Sequence, residues 1–163
     1  MLGMEKVPQS VNISLKPSWS TAANGQSPPP NSRPFPITLR LSMRTVLVVE
    51  DSQTELNTLE SYLQEAGMNV VSKKSGEDAL IWLSSQTPDL IILDVILPGQ
   101  SGFEVCREIK QDNSSSRNIP VVICSTKTTN VDKTWGTMLG ANAYLDKPVD
   151  RAELITTIQR LIA

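Results

Sequence analysis

The chain has 163 residues, 39% of them hydrophobic and 20% charged, with a net charge of -2, a composition that fits one core and offers no basic surface for non-specific nucleic-acid binding. No run approaches the roughly 18 apolar residues of a membrane-spanning helix and no signal-peptide layout opens the chain, so a cytoplasmic protein without membrane insertion is expected. Histidine is absent, which removes Ser-His and Cys-His nucleophile systems and imidazole metal ligands and leaves carboxylates, hydroxyls and lysines for any chemistry.

Residues 1–42 hold seven of the eleven prolines and carry four basic residues against one acidic, +3, while the remainder carries eleven against sixteen, -5. This predicts a disordered or extended Pro-rich arm followed by a folded domain over 43–163. Met43 stands just before the first strand and offers an alternative start without the arm. Trp19, with Ile13 and Leu15, could instead dock on a partner.

From Thr45 short β-branched runs alternate with amphipathic stretches. TVLVV is followed by a helix near 53–66, NVV by one near 77–84, DLIIL by one near 102–111, IPVVIC by one near 131–139, and NAYL by one near 151–162. Five strands and five helices in alternation predict an α/β fold with a parallel sheet covered on both faces. Ser52 with Glu55, Ser75 with Asp78, Ser101 with Glu104 and Asp150 with Glu153 mark helix starts at or near capping-box spacing. Leu56, Leu59 and Leu63, and likewise Leu154, Ile158 and Leu161, form core stripes. SSQ at 84–86 and DNSSS at 112–116 read as polar loops. Cys106 and Cys124 lie in apolar surroundings without C-x-x-C spacing, so buried reduced thiols are expected.

In an open α/β sheet the functional crevice lies beyond the carboxyl ends of the strands. Glu50 and Asp51 follow strand one, Asp94 ends strand three, Ser125 and Thr126 end strand four, and Lys147 ends strand five. Asp94 is the strangest of these: in DLIILDVILPGQSG a carboxylate sits between two apolar runs, where an isolated charge would cost several kcal/mol unless compensated. Three converging carboxylates raise one another's pKa, and a divalent cation relieves the strain. Oxygen ligation without His or Cys points to Mg²⁺ or Mn²⁺. Lys147 suits an incoming phosphate, and a Ser or Thr hydroxyl adds a neutral donor. These are the parts for phosphoryl transfer onto Asp94. Singly, Asp51 could merely cap a helix, Ser125 could satisfy a strand end, Tyr144 could be sheet packing and Lys147 a solvated loop charge.

Residues 44–162 resemble a response-regulator receiver domain, through VLVVEDS, LIILDVILPGQSG, VVICST and GANAYLDKPV. The resemblance implies a flavodoxin-like, doubly wound (βα)5 fold with strand order 2-1-3-4-5. It implies Glu50 and Asp51 as the metal-binding acidic pair, Asp94 as phosphoacceptor and metal ligand, and the backbone carbonyl of Ile96 as a further ligand. Ser125 takes the place of the switch hydroxyl, Thr126 that of the small residue after it, Tyr144 that of the switch aromatic, and Lys147 that of the phosphoryl-contacting lysine, with a cis Lys147-Pro148 bond. Glu50 replaces the commoner Asp, and Ile96 and Lys127 fall where the family tunes dephosphorylation. Trp135, on the helix with Val131, Met138 and Leu139, and Tyr144 fall on the family's usual output surface. DKTWGTMLGANAYLDKPV is similar to regulators of pilus-driven motility and chemotaxis-like systems.

The expected function is a single-domain response regulator: Mg²⁺-dependent acceptance of a phosphoryl group on Asp94 from a sensor histidine kinase or histidine phosphotransfer protein, then contact with a downstream protein target. Ala163 follows directly on the last helix, so no effector domain is expected, and no enzyme activity beyond self-directed acceptance and autodephosphorylation. Two alternatives compete. An aspartate-nucleophile phosphatase would want a second Asp where Ile96 stands, and a pseudo-receiver acting without phosphorylation would not need the acidic pocket and lysine.

Overall fold

Every strand of the sheet is walled by two separate hydrophobic cores, and alternate residues of the first strand show how. In β1 (Thr45–Val49), Val46 and Val48 enter one core, and Leu47 and Val49 the other. The structure, a computed structural model, describes residues 43–111, 113 and 115–162. The predicted arm over 1–42, including Ile13, Leu15 and Trp19, lies outside the described residues.

The remaining elements are α1 (Gln53–Glu65), β2 (Asn69–Lys73), α2 (Gly76–Leu83), β3 (Leu90–Leu93), α3 (Gly102–Gln111), a 3-10 turn (Ser115–Asn118), β4 (Val121–Ser125), α4 (Asn130–Met138), β5 (Ala143–Asp146) and α5 (Arg151–Ile162). All strand pairings are parallel, in the order β2-β1-β3-β4-β5. This is the flavodoxin-like arrangement the resemblance implies. The Leu56, Leu59, Leu63 stripe of α1 and Leu154 and Ile158 of α5 fill the first core, with Leu161 partly buried at its edge. Ala79 and Leu83 of α2 and Val105, Cys106 and Ile109 of α3 fill the second. Each such aliphatic side chain removed from water contributes about 1.5–3 kcal/mol.

Element ends shift from expectation by a residue or so, for local reasons. β2 runs on to Lys73 because β1 continues to pair with it through Val48↔Ser72 and Val49↔Lys73. β5 starts after Asn142, whose side-chain oxygen accepts the Val121 N–H at 2.9 Å. The predicted polar loop over 112–116 contains the start of the 3-10 turn, in which Ser116 is buried. Ser101 and Glu104 form a reciprocal capping box. So do Thr129 and Asp132, a pair whose spacing escaped the sequence reading.

The end of the sheet remote from the strand carboxyl termini is held by Lys110. Its ammonium donates to the carbonyls of Arg117 (3.4 Å) and Ile119 (2.7 Å) and to the Asn142 side chain (3.2 Å). Its stem passes over Gly140, which has φ +102° and where a Cβ would stand 2.8 Å from Lys110 Cγ.

At the other end, Gly102 opens α3 against the backbone after β3. Its N–H donates to the Val95 carbonyl at 2.8 Å, and a Cβ there would fall 1.9 Å from the Asp94 carbonyl oxygen. That contact is with backbone, so Gly102→Ala is expected to destabilise the domain by about 1–3 kcal/mol, the range of overpacked cores, seen as a lower urea midpoint with an unchanged slope. Both cysteines are buried and free, as expected. Burial pushes the Cys106 thiol up to about 11 and Cys124 to about 12. Because the thiolate is the nucleophile, iodoacetamide at pH 8 should leave both unlabelled until denaturant is added.

Candidate functional site

The strand register assembles the site. Val49 pairs with Leu93, so the next residues, Glu50 and Asp94, stand side by side, with the Asp94 N–H donating to the Val49 carbonyl at 3.0 Å. Leu93 pairs with Ile123, and Ser125 with Asp146, which brings Ser125 and Lys147 to the same rim. The Lys147 N–H donates to the Ser125 carbonyl at 3.0 Å, and the Lys147-Pro148 bond is cis.

Carboxylate oxygens of Glu50, Asp51 and Asp94 all lie within 4.8 Å of one another. Glu50 and Asp94 are buried, while Asp51 is exposed and leaves the cluster open to solvent on one side. The Lys147 side chain is only 6% exposed. Its ammonium donates to Glu50 Oε2 at 2.6 Å, stands 3.2 Å from Asp94 Oδ2, and pairs with Oε2 of Glu55.

Charge and burial oppose each other here. Burial raises the Asp94 carboxyl above its ordinary value, and this outweighs the lowering by the Lys147 charge and by the Ile96 N–H, which donates to Oδ1 at 3.3 Å. Burial likewise raises Glu50, against hydrogen bonds from Lys147 and from the Ser52 N–H to Oε1 at 2.9 Å, with the Asp94 charge adding to the rise. For Lys147 burial pulls downward, but the hydrogen bonds to Glu50 and Glu55 and the charge of Asp94 prevail and hold it above the usual lysine value. The lysine stays an ammonium at neutral pH, while the carboxylates around it are short of positive charge.

The donor set therefore fits a hard divalent cation: three carboxylates, no His or Cys, and an open side for water ligands. Glu50, Asp51 and Asp94 would hold it. Ile96, whose carbonyl is the expected fourth protein ligand, is tied to the cluster through its N–H, and the residue is 53% exposed.

The remaining predicted residues line the same rim. Ser125 is fully buried, and its Oγ accepts the Lys127 N–H at 3.2 Å; Thr126 beside it is exposed. The Tyr144 hydroxyl donates to the Lys127 carbonyl. Lys127 is thus clasped from both sides, its N–H by Ser125 and its carbonyl by Tyr144. Gly136 of α4 makes room for the ring, since a Cβ there would stand 3.1 Å from Tyr144 Cδ2. Trp135, 47% exposed, lines a shallow apolar recess of about 350 Å³ with Val131 and Met138. Tyr144 lines a groove with Glu153 and Arg160. A depression of about 860 Å³ between α2 and α3 holds none of the predicted site residues.

Glu55 escaped the sequence reading as a site residue because Ser52-x-x-Glu55 looks like a local capping box. Only half of that box forms: Ser52 Oγ accepts the Glu55 N–H at 3.5 Å, but the Ser52 N–H is already held by Glu50. An acid two residues before the cap was the available signal.

The family described as the response regulator receiver domain matches residues 46–159. Protein PilH of Pseudomonas aeruginosa is 37% identical over 121 residues, covering 74% of this chain and 99% of PilH. Among solved structures, a response regulator from Chloroflexus aurantiacus is 32% identical with a TM-score of 0.71, covering 74% of this chain and 98% of its own. The receiver domain of a sensor histidine kinase from Pseudomonas aeruginosa, which has a magnesium ion coordinated in its active-site cleft, is 30% identical with a TM-score of 0.69 and covers 74% and 98%. The motifs, the strand order and these relatives agree: this chain belongs to the response regulator receiver domain family.

Proposed function

We propose that the protein is a cytoplasmic single-domain response regulator that accepts a phosphoryl group on Asp94 from a phosphorylated histidine of a sensor kinase or phosphotransfer protein, and signals through contact with a downstream protein. One observation carries this reading: Asp94 is buried within 4.8 Å of two further carboxylates and 3.2 Å from a buried ammonium. A packed core has no use for such an arrangement, and a phosphoryl acceptor needs it.

In the proposed transfer a carboxylate oxygen of Asp94 attacks phosphorus, the bond from phosphorus to the histidine nitrogen breaks, and the imidazole leaves with the electron pair. When bound, Mg²⁺ or Mn²⁺ would neutralise the acid trio and the charge developing on phosphoryl oxygens. Lys147 supplies a permanent positive charge to the same oxygens, and Ser125 a hydroxyl donor, with Thr126 beside it at the mouth. Water later attacks the same phosphorus and releases inorganic phosphate, restoring the carboxylate. If the Ser125 hydroxyl turns to the phosphoryl group it gives up the Lys127 N–H, which loosens one side of the clasp that also holds Tyr144. The charge added at Asp94 is in this way passed to α4 and its exposed Trp135. Similarity to PilH, and of residues 132–149 to regulators of pilus-driven motility, supports motility or taxis control as the pathway.

With acetyl phosphate and Mg²⁺, intact mass should show a phosphoryl adduct that EDTA or Asp94→Asn abolishes and that forms about 100-fold more slowly in Lys147→Ala, the usual loss for removing one charge-stabilising donor. An adduct persisting in Asp94→Asn would refute the assignment of the acceptor.

The raised Asp94 carboxyl also has a stability consequence. A folded-state pKa above the unfolded value gives stability that is present below the unfolded pKa and lost as pH rises through the folded one. Metal-free Asp94→Asn should therefore have a higher Tm than wild type at pH 7.5, with the difference shrinking as the pH is lowered toward 4. Mg²⁺ should raise the wild-type Tm and leave that of the variant nearly unchanged.

A further inference from the structure

Lys147 has three N–H donors and three carboxylate partners, Glu50, Asp94 and Glu55. Two of those partners also belong to the acid trio, and Glu55 does not. When Glu50 and Asp94 turn their oxygens to a divalent cation, they become poorer partners for the ammonium, and the cation itself repels it. Glu55 is the one partner that the cation leaves in place.

Its position is built for this. Glu55 is the third residue of α1, where a carboxylate is favoured by the helix N-terminus. In an ordinary capping box its side chain would turn back to the Ser52 N–H, but Glu50 Oε1 occupies that donor at 2.9 Å. The side chain is thereby free to cross to Lys147, which directly follows β5. Its own side chain is 42% exposed while that of Lys147 is 6% exposed, so the pair joins an anchored outer carboxylate to a buried ammonium.

We propose that Glu55 is a positioning residue that keeps Lys147 at the phosphoryl-binding rim when the divalent cation is bound. Resting on the function proposed above, it deepens that reading by assigning a second task to the first turn of α1. Glu50, Asp94 and Glu55 together hold the lysine in the metal-free protein; Glu55 alone keeps hold of it in the metal-loaded one, with one N–H engaged and the others free for phosphoryl oxygens.

The test follows the Lys147 side chain directly, by the NMR signals of its Cε and Nζ in protein labelled at lysine, during Mg²⁺ titration of wild type, Glu55→Gln and Glu55→Ala. Without metal all three should show an ordered Lys147. With saturating Mg²⁺, wild type should keep it ordered, Glu55→Ala should show averaged, solvent-like signals, and Glu55→Gln, which retains an acceptor without the charge, should fall between. Phosphorylation by acetyl phosphate should slow in the same order, several-fold or more for Glu55→Ala, with Mg²⁺ affinity kept. An ordered Lys147 in Mg²⁺-loaded Glu55→Ala, or an unchanged phosphorylation rate, would overturn the assignment of Glu55. Failure of wild type itself to bind Mg²⁺ or take a phosphoryl group would instead overturn the receiver chemistry on which it rests.

Discussion

A buried carboxylate and a buried ammonium each carry a desolvation cost of several kcal/mol, and the functional end of this domain depends on how those costs are set against each other. Lys147 offsets part of the charge of Glu50 and Asp94, but burial still leaves both carboxyls raised. The pocket is therefore complete as a fold and incomplete as an electrostatic unit. A neutral side chain at Asp94 would serve packing better, and a cation or a phosphoryl group would find its partners already in place.

That arrangement requires a rigid frame, because charge alone would push the acids apart. The parallel register fixes Glu50 beside Asp94, and the bare Cα of Gly102 lets α3 press against the Asp94 carbonyl. In the β4-α4 connection Lys127 is held by one bond from Ser125 and one from Tyr144. The acids and this hydroxyl-tyrosine clasp meet at one rim.

Most of this was legible in the sequence. Alternating apolar runs and helix caps gave away the doubly wound sheet, and the polar residues ending strands one, three, four and five gave away the pocket, since parallel strands deliver their ends to one edge. The strand order itself came through resemblance, because periodicity does not say which strands are neighbours. What stayed hidden depends on distances across the fold. Glu55 looks local until Glu50 is seen holding the Ser52 N–H. The Lys127 clasp involves backbone groups that carry no residue signature.

The opposite end of the sheet uses the same device with different chemistry. Lys110 also gathers three oxygens onto one ammonium, but they are two backbone carbonyls and a side-chain amide, all neutral. Lys147 is thus held by charged partners and Lys110 by neutral ones. The entrances of the fourth and fifth strands are thereby fastened together, so the rim that carries Ser125 and Lys147 is set on strands pinned at their opposite ends.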